Sequence, residues 1–170
     1  AKLYYPDDSI QHGGVIITSD GIAAHIYKGK SKSESDKFLQ LNLPQNYSAV
    51  TGACLMIRKY IFNEIKRFAP VFQLELGDID LCLRIQKKGY INVWTPYAQL
   101  YHFESKTHGY EDTPEKIERF LFEKMMFRKK WHDISIEGDP YYNPNLSLDD
   151  EDFLIEPYAR SQHIRIMKGF

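Results

Sequence analysis

An α/β domain is the fold class this chain predicts, and three observations predict it. Short apolar, β-branched runs such as Val15-Ile-Ile-Thr and residues 90–94 end at turn residues. Segments with apolar residues at helical spacing alternate with them. The boundaries carry the right punctuation: Gly89 closes one helical segment, and Thr113-Pro114 opens another.

Residues 1–29 read as strands and turns, with His12-Gly13-Gly14 before the run at 15–18 and Asp20-Gly21 after it. Residues 28–37, rich in Gly, Ser and Lys, read as a surface loop. The apolar run at 47–57, broken by Gly52, predicts a buried strand with a close backbone approach at the glycine. Ile61, Phe62, Ile65 and Phe68 stand at helical spacing within 58–68. Asp80 reads as the N-cap of a helix over 81–88, with Leu81, Cys82 and Ile85 inward and Arg84, Lys87 and Lys88 outward. Residues 90–94 form a strand ended by Thr95-Pro96. Thr113 caps a helix that runs to about Trp131. Its stripe of Phe120, Phe122, Met125, Met126, Phe127 and Trp131 covers more than one face, as core against the sheet or as a surface for a partner. Residues 139–170, with Pro140, Pro144, Pro157 and an acidic run at 149–152, read as an irregular tail.

Composition narrows the function classes. A net charge of -1 gives no bulk attraction to nucleic acid. Cys54 and Cys82 lie inside apolar runs, as expected for buried reduced thiols rather than a disulfide or a nucleophile. No apolar run approaches the roughly 18 residues that span a bilayer, and no charged start precedes an apolar stretch. The expectation is a cytoplasmic protein.

The chemistry concentrates in Glu75-Leu-Gly-Asp-Ile-Asp-Leu-Cys-Leu-Arg84 and in Tyr101-His102-Phe-Glu-Ser105. Two aspartates sit at a loop-to-helix junction, and one helix and one strand later a histidine stands beside a glutamate. A carboxylate can take a proton and an imidazole can hold a metal. Spacing alone leaves two readings open: Asp78 and Asp80 as helix caps, or Asp78 as a catalytic base. Trp94 has a sugar-stacking reading and a core reading, the latter favoured by its place in a strand. His12, His25 and His108 fall in no arrangement. Lys106 and His108 lie in a polar loop, read either as solvated or as reaching a diphosphate or acceptor.

Thr51-Gly-Ala-Cys-Leu-Met-Ile-Arg58, Gly-Asp-Ile-Asp-Leu-Cys-Leu-Arg84, Gly-Tyr90, Thr-Pro-Tyr97, Tyr-His102 and Glu-Ser105 together resemble the C-terminal half of bacterial family 2 glycosyltransferases. Residues 3–14 and 139–153 resemble the same group. The resemblance implies the C-terminal half of a GT-A fold, a mixed sheet with flanking helices. It implies inverting transfer from a nucleotide-sugar donor to a glycan acceptor hydroxyl, in cell-surface polysaccharide synthesis. On that pattern Asp78 is the general base. Thr51, Gly52 and Ala53 line the floor of the sugar pocket, Asp80 adds a substrate-side contact while capping its helix, and His102 is a metal ligand that Glu104 orients. Gly77 stands where the family has Glu or Asn, a departure at the neighbouring contact.

Nothing in the chain matches the family's nucleotide-binding half or its metal-holding Asp-x-Asp motif; Asp78-Ile-Asp80 has the letters but sits in the later motif. The expectation is therefore an acceptor-side half at residues 1–154 and a tail at 155–170. Mn2+ or Mg2+ would belong to the full-length enzyme, with none bound to this chain and no transfer by it alone. Exposed strand edges would drive homodimerisation, and peripheral contact with the cytoplasmic face of a membrane is a further expectation. Two rival readings are a non-catalytic carbohydrate- or partner-binding module of the same fold, and a small metal hydrolase using Asp78, Asp80 and His102, which has few ligands for that task.

Overall fold

The computed structural model describes residues 1–32, 40–73, 75–103 and 113–148. Over these the chain is mixed α/β, with a small mixed sheet and flanking helices. Strand β1 (Lys2–Tyr4) lies in the middle of a three-stranded sheet of order β2-β1-β7. It runs antiparallel to β2 (Ile10–His12) and parallel to β7 (Gln99–Tyr101). Strands β3 (Val15–Ile17) and β4 (Ala23–His25) form a hairpin, and β5 (Gln45–Asn46) pairs with β6 (Val93–Trp94). The helices are α1 (Lys59–Glu64), α2 (Gly77–Lys87), α3 (Pro114–Lys130) and α4 (His132–Glu137).

Strand β3 reads as an unbroken β-branched run because both its faces are buried. Ile16 enters a cluster with Tyr4, Ile10, Tyr47 and Trp94. Val15 and Ile17 enter a second with Phe72, Ile79, Leu83 and Phe127. Alternation across the pleat sends neighbours to opposite sides. The turn before β3 needs glycine: at Gly14, φ is +132° and an added Cβ would lie 2.3 Å from the Tyr47 ring. Arg128 of α3 ties down the β3–β4 turn, donating from Nε to the Asp20 carbonyl at 2.7 Å.

Helix α2 is the hub. Leu81 and Ile85 pack on Ile61 and Ile65 at α1, while Ile79, Cys82 and Leu83 face Phe127 and Trp131 on the α3 side. Gly89, with φ of +85°, ends the helix as its sequence position predicts. Thr113 accepts from the Lys116 N–H at 3.3 Å with Pro114 in the first turn, so the opening of α3 is also as predicted.

Several expectations are corrected. Residues 47–57 are not one buried strand. Ala49 bridges Val15, and the chain then turns into a short 3-10 helix, Gly52–Cys54, for which Thr51 is the cap. The Thr51 hydroxyl takes the Ala53 N–H and Asp78 takes the Gly52 N–H, so these donors leave the ladder. Cys54 is consequently exposed, whereas Cys82 is the buried thiol expected. Helix α1 stops at Glu64 because Lys66 and Arg67 adopt left-handed φ of 64° and 60°. Asp80 is not an N-cap: α2 begins at Gly77 with Leu76 in that place. Arg84, expected outward, folds back along its helix onto Asp80. The strand at 90–94 shortens to Val93–Trp94, and Trp94 is core, edge-on to Tyr47.

Residues 139–148 are irregular but packed. Tyr142, Leu146 and Leu148 join the first cluster, and Asp139 accepts the Ile17 N–H at 2.8 Å. The expectations for Glu104, Lys106, His108, residues 33–37 and the boundary at 154 with its tail lie outside the described residues. Among the described residues no helix is long and apolar enough to cross a membrane.

Candidate active site

A cleft of about 870 Å³ opens between the β3–β4 hairpin, the start of α2 and the middle of α3. It is lined by Thr51, Gly52, Ala53, Asp78 and His102, five of the six residues singled out from the sequence. The sixth, Asp80, is not among its walls.

Asp78 lies in the first turn of α2, where the helix N-terminus favours a negative charge. Its Oδ2 accepts the Gly52 N–H at 2.5 Å and its Oδ1 the Ile79 N–H at 2.8 Å. These contacts fix the carboxylate in orientation. Burial pushes its pKa above the ordinary value, and the backbone N–H groups of Gly52 and Ile79 oppose the shift. The result is a carboxylate readier to hold a proton than a solvated aspartate. A Cβ on Gly52 would sit 3.2 Å from that of Asp78, so the glycine permits the close approach. Gly77 has a similar role: a Cβ there would meet the Phe72 carbonyl at 2.8 Å. Glycine in place of a larger residue lets the segment around Phe72 close down on the start of α2.

His102 follows β7, and its N–H donates to the Tyr4 carbonyl at 3.0 Å, continuing the parallel pairing. Gln11 of β2 brackets it. The Gln11 amide N–H donates to the His102 carbonyl at 3.4 Å, so the amide oxygen faces the ring and accepts from Nδ1 at 2.8 Å. A carboxamide oxygen only accepts, so Nδ1 carries a proton toward Gln11 and Nε2 is the nitrogen left for another partner. A metal-ligating histidine is commonly oriented in this way through its other nitrogen. Glu104, expected in that orienting role, lies outside the described residues. Gln11 carries no local signal because its partner is 91 residues away.

Asp80 is turned the other way for a geometric reason. Two residues along a helix rotate a side chain by about 200°, so Asp78 and Asp80 cannot face the same cleft. Asp80 is 0% exposed and binds Arg84 Nε at 2.8 Å, Lys130 Nζ at 2.5 Å and Trp131 Nε1 at 3.1 Å. Arg84 donates in turn to the carbonyls of Ile65 and Arg67, on either side of the left-handed pair. Past that pair come Phe68, Ala69, Pro70 and Phe72, which line the cleft. The far end of this wall is held by the buried Glu123 of α3, which accepts the Gln73 N–H at 3.0 Å. Asp80 therefore supports the cleft from behind.

Other lining residues escaped the sequence reading. Phe120 and Lys124 come from α3, one turn apart, with the ammonium 4.3 Å from the ring centre. His25 lines the cleft and meets His12 behind it, a pairing that the sequence does not reveal. Cys82 is no nucleophile: burial pushes its thiol up to about 12. Among the described residues no three His, Cys, Asp or Glu side chains are placed to share a metal ion. The described residues thus offer a metal one oriented imidazole, short of a complete site, and the hydrolase trio is not brought together.

No family model and no solved structure matches the chain. Among curated proteins it is 47% identical over 161 residues to the uncharacterized protein y4gI of Sinorhizobium fredii, an alignment covering 91% of this chain and 17% of that protein. It is 31% identical over 148 residues to the O-antigen biosynthesis protein RfbC of Myxococcus xanthus, covering 86% of this chain and 11% of that protein. A 60-residue stretch, 35% of this chain, is 28% identical to an N-acetylglucosaminyl-diphospho-decaprenol L-rhamnosyltransferase of Mycobacterium tuberculosis, covering 20% of it. The chain spans less than a fifth of the length of the first two, and its similarity runs to one protein named for O-antigen biosynthesis and one named as a rhamnosyltransferase.

Proposed function

We propose that this chain carries the acceptor-side wall and the catalytic base of a glycosyltransferase that builds polysaccharide, with inversion at the sugar. The observation that carries the reading is the meeting of Asp78 and His102 in one cleft with Thr51, Gly52 and Ala53. The names of the O-antigen and rhamnosyltransferase relatives support the same class.

In this reading a hydroxyl of the glycan acceptor enters the cleft beside Asp78. The carboxylate takes the hydroxyl proton as the oxygen bonds to the anomeric carbon of a nucleotide-sugar donor. The bond from that carbon to the nucleotide diphosphate breaks on the opposite face, which inverts the centre. A raised pKa suits a base that must take a proton at the moment of attack. The Gly52 and Ile79 N–H groups hold it in line, so little reorganisation is left to the reaction. His102 would supply one imidazole ligand to a Mn2+ or Mg2+ ion, which when bound would offset charge on the leaving diphosphate.

The test is transfer by the protein bearing this chain, screened over nucleotide-sugar donors, beside Asp78→Asn. Loss of a positioned base costs about 10²–10⁴-fold, so a fall of that size is expected in Asp78→Asn. Undiminished turnover in the variant removes Asp78 from the role. The rival binding-module reading predicts sugar binding with no turnover under any donor.

A further inference from the structure

A half-exposed aromatic ring stands beside the base, and neither Asp78 nor His102 needs it for the roles given above. Phe68 is 50% exposed. A lone apolar side chain on a convex surface calls for no ligand, but Phe68 lines the cleft that holds Asp78. Its Cδ1 is 3.8 Å from where a Cβ on Gly77 would stand, so the ring abuts the first turn of α2, one residue before Asp78. Gly77 has no side chain to cover it.

Several contacts hold the ring in place. Phe68 follows directly on Lys66 and Arg67, whose φ of 64° and 60° are left-handed. Backbone strained in this way persists only where its surroundings over-determine it, and it gathers at ligand sites. Arg84 donates to the carbonyls of Ile65 and Arg67, and Asp80 holds Arg84. Arg67 Nε reaches back to Asn63 at 3.2 Å. Phe62 of α1 braces the ring, with centres 5.6 Å apart and planes at 73°. Asp80 and Arg84 belong to the same helix as Asp78, so ring and base are carried on one frame.

We propose that Phe68 is a substrate-binding residue of the cleft: the apolar face of a pyranose stacks on its ring, which sets one hydroxyl of that sugar against Asp78. The proposal rests on reading the cleft as a sugar-transfer site and names the acceptor contact within it. A pyranose has an apolar C–H face and a rim of hydroxyls. Phe68 and Phe120 offer aromatic surface to the first, and Asp78 offers carboxylate oxygens to the second. Trp94, sealed in the core, leaves this stacking role open. Asp80 and Arg84 touch no ligand in this scheme and are positioning residues.

The experiment is fluorine NMR on the protein bearing this chain, with trifluoromethylphenylalanine placed at position 68 or, as a control, at position 122. Phe122 is 49% exposed on α3 and is not among the residues that line the cleft. Each sample is titrated separately with methyl glucoside, methyl rhamnoside and sodium pyrophosphate. A glycoside should move the signal at 68 and leave the signal at 122. Affinity for the same glycosides, read by ligand-observed NMR, should stay within about threefold in Phe68→Trp and fall about fivefold in Phe68→Leu, the worth of one aromatic contact. Phe68→Leu binding as well as the unaltered protein overturns the proposal, and so does a signal at 68 that answers to pyrophosphate alone. Should Phe68→Leu not fold, the fluorine signals decide by themselves. A glycoside that binds without moving position 68, in a protein that still transfers sugar, sinks this contact and leaves the transfer reading standing. Binding of no glycoside overturns the proposal, and absence of turnover with every donor besides sinks both.

Discussion

Asp78 and Asp80 are two residues apart, and the helix gives them opposite tasks. At Asp78, burial raises the folded pKa above the ordinary 3.8. The folded state therefore binds that proton more tightly than the unfolded chain, and the sign follows. This group's contribution to stability falls as pH climbs from about 3.8 through the raised folded pKa, and the burial cost of the charge is fully present at neutrality. The unaltered chain should accordingly gain stability as pH is lowered from 7 towards 3.8, and Asp78→Asn should lack that part of the pH dependence while also losing one backbone N–H acceptor and most of its transfer. The acid limb of the kcat/KM profile should likewise fall at a pH above that of an ordinary carboxylate, because the base is useful only when ionised; a limb at or below 3.8 contradicts the environment described for it. Asp80 behaves in the opposite way. Its removal leaves Arg84 and Lys130 facing one another without their shared carboxylate. Breaking a buried pair from one side costs about 3–5 kcal/mol. Lys130 is 38% exposed and can turn to water, so Asp80→Ala belongs at the lower end, read as a drop in chemical-denaturation midpoint.

The element that matters most to the cleft is the segment between α1 and α2. It leaves α1 through Lys66 and Arg67, neither of them the glycine or asparagine that such a backbone favours. Left-handed geometry costs about 1–2 kcal/mol per residue with a side chain. It persists because Arg84 fastens the carbonyls on both sides of the pair and Glu123 fastens the Gln73 N–H beyond. Lys66→Gly should relieve part of that strain and stabilise the chain by about 1 kcal/mol, seen as a higher melting temperature without loss of sugar binding. This element also marks the limit of what the sequence reveals. The stop of α2 at Gly89 and the start of α3 at Thr113-Pro114 are written in local chemistry and are found where expected. The end of α1, the 3-10 turn at Gly52 and the burial of Asp80 are decided by Arg84, Asp78 and Lys130, whose partners lie 17 to 50 residues away. Asp78 and His102 were legible as candidates because a short motif surrounds each; Gln11 and His25 were not, because each faces its partner from a separate strand.

Across the whole molecule, apolar surface is unevenly spent. The two main clusters are closed, yet Ile117, Leu121, Phe122 and Met125 of α3 are exposed, Leu121 by 60%. Among the described residues strand β7 bounds its sheet, with Leu100 and Tyr101 half in solvent. Contiguous apolar surface and an open strand edge favour association. A homodimer is the expected outcome for the isolated chain, and sedimentation at micromolar concentration showing monomer alone would count against it. The seating of His102 depends on the pairing of β1 with β7. His102 reaches its position only against Tyr4 and Gln11, near the chain's start. The two candidate groups are thus held by different parts of the chain, Asp78 by the turn of its own helix and His102 by a strand partner 91 residues earlier, so damage confined to β1 and β2 would unseat the imidazole and spare the carboxylate.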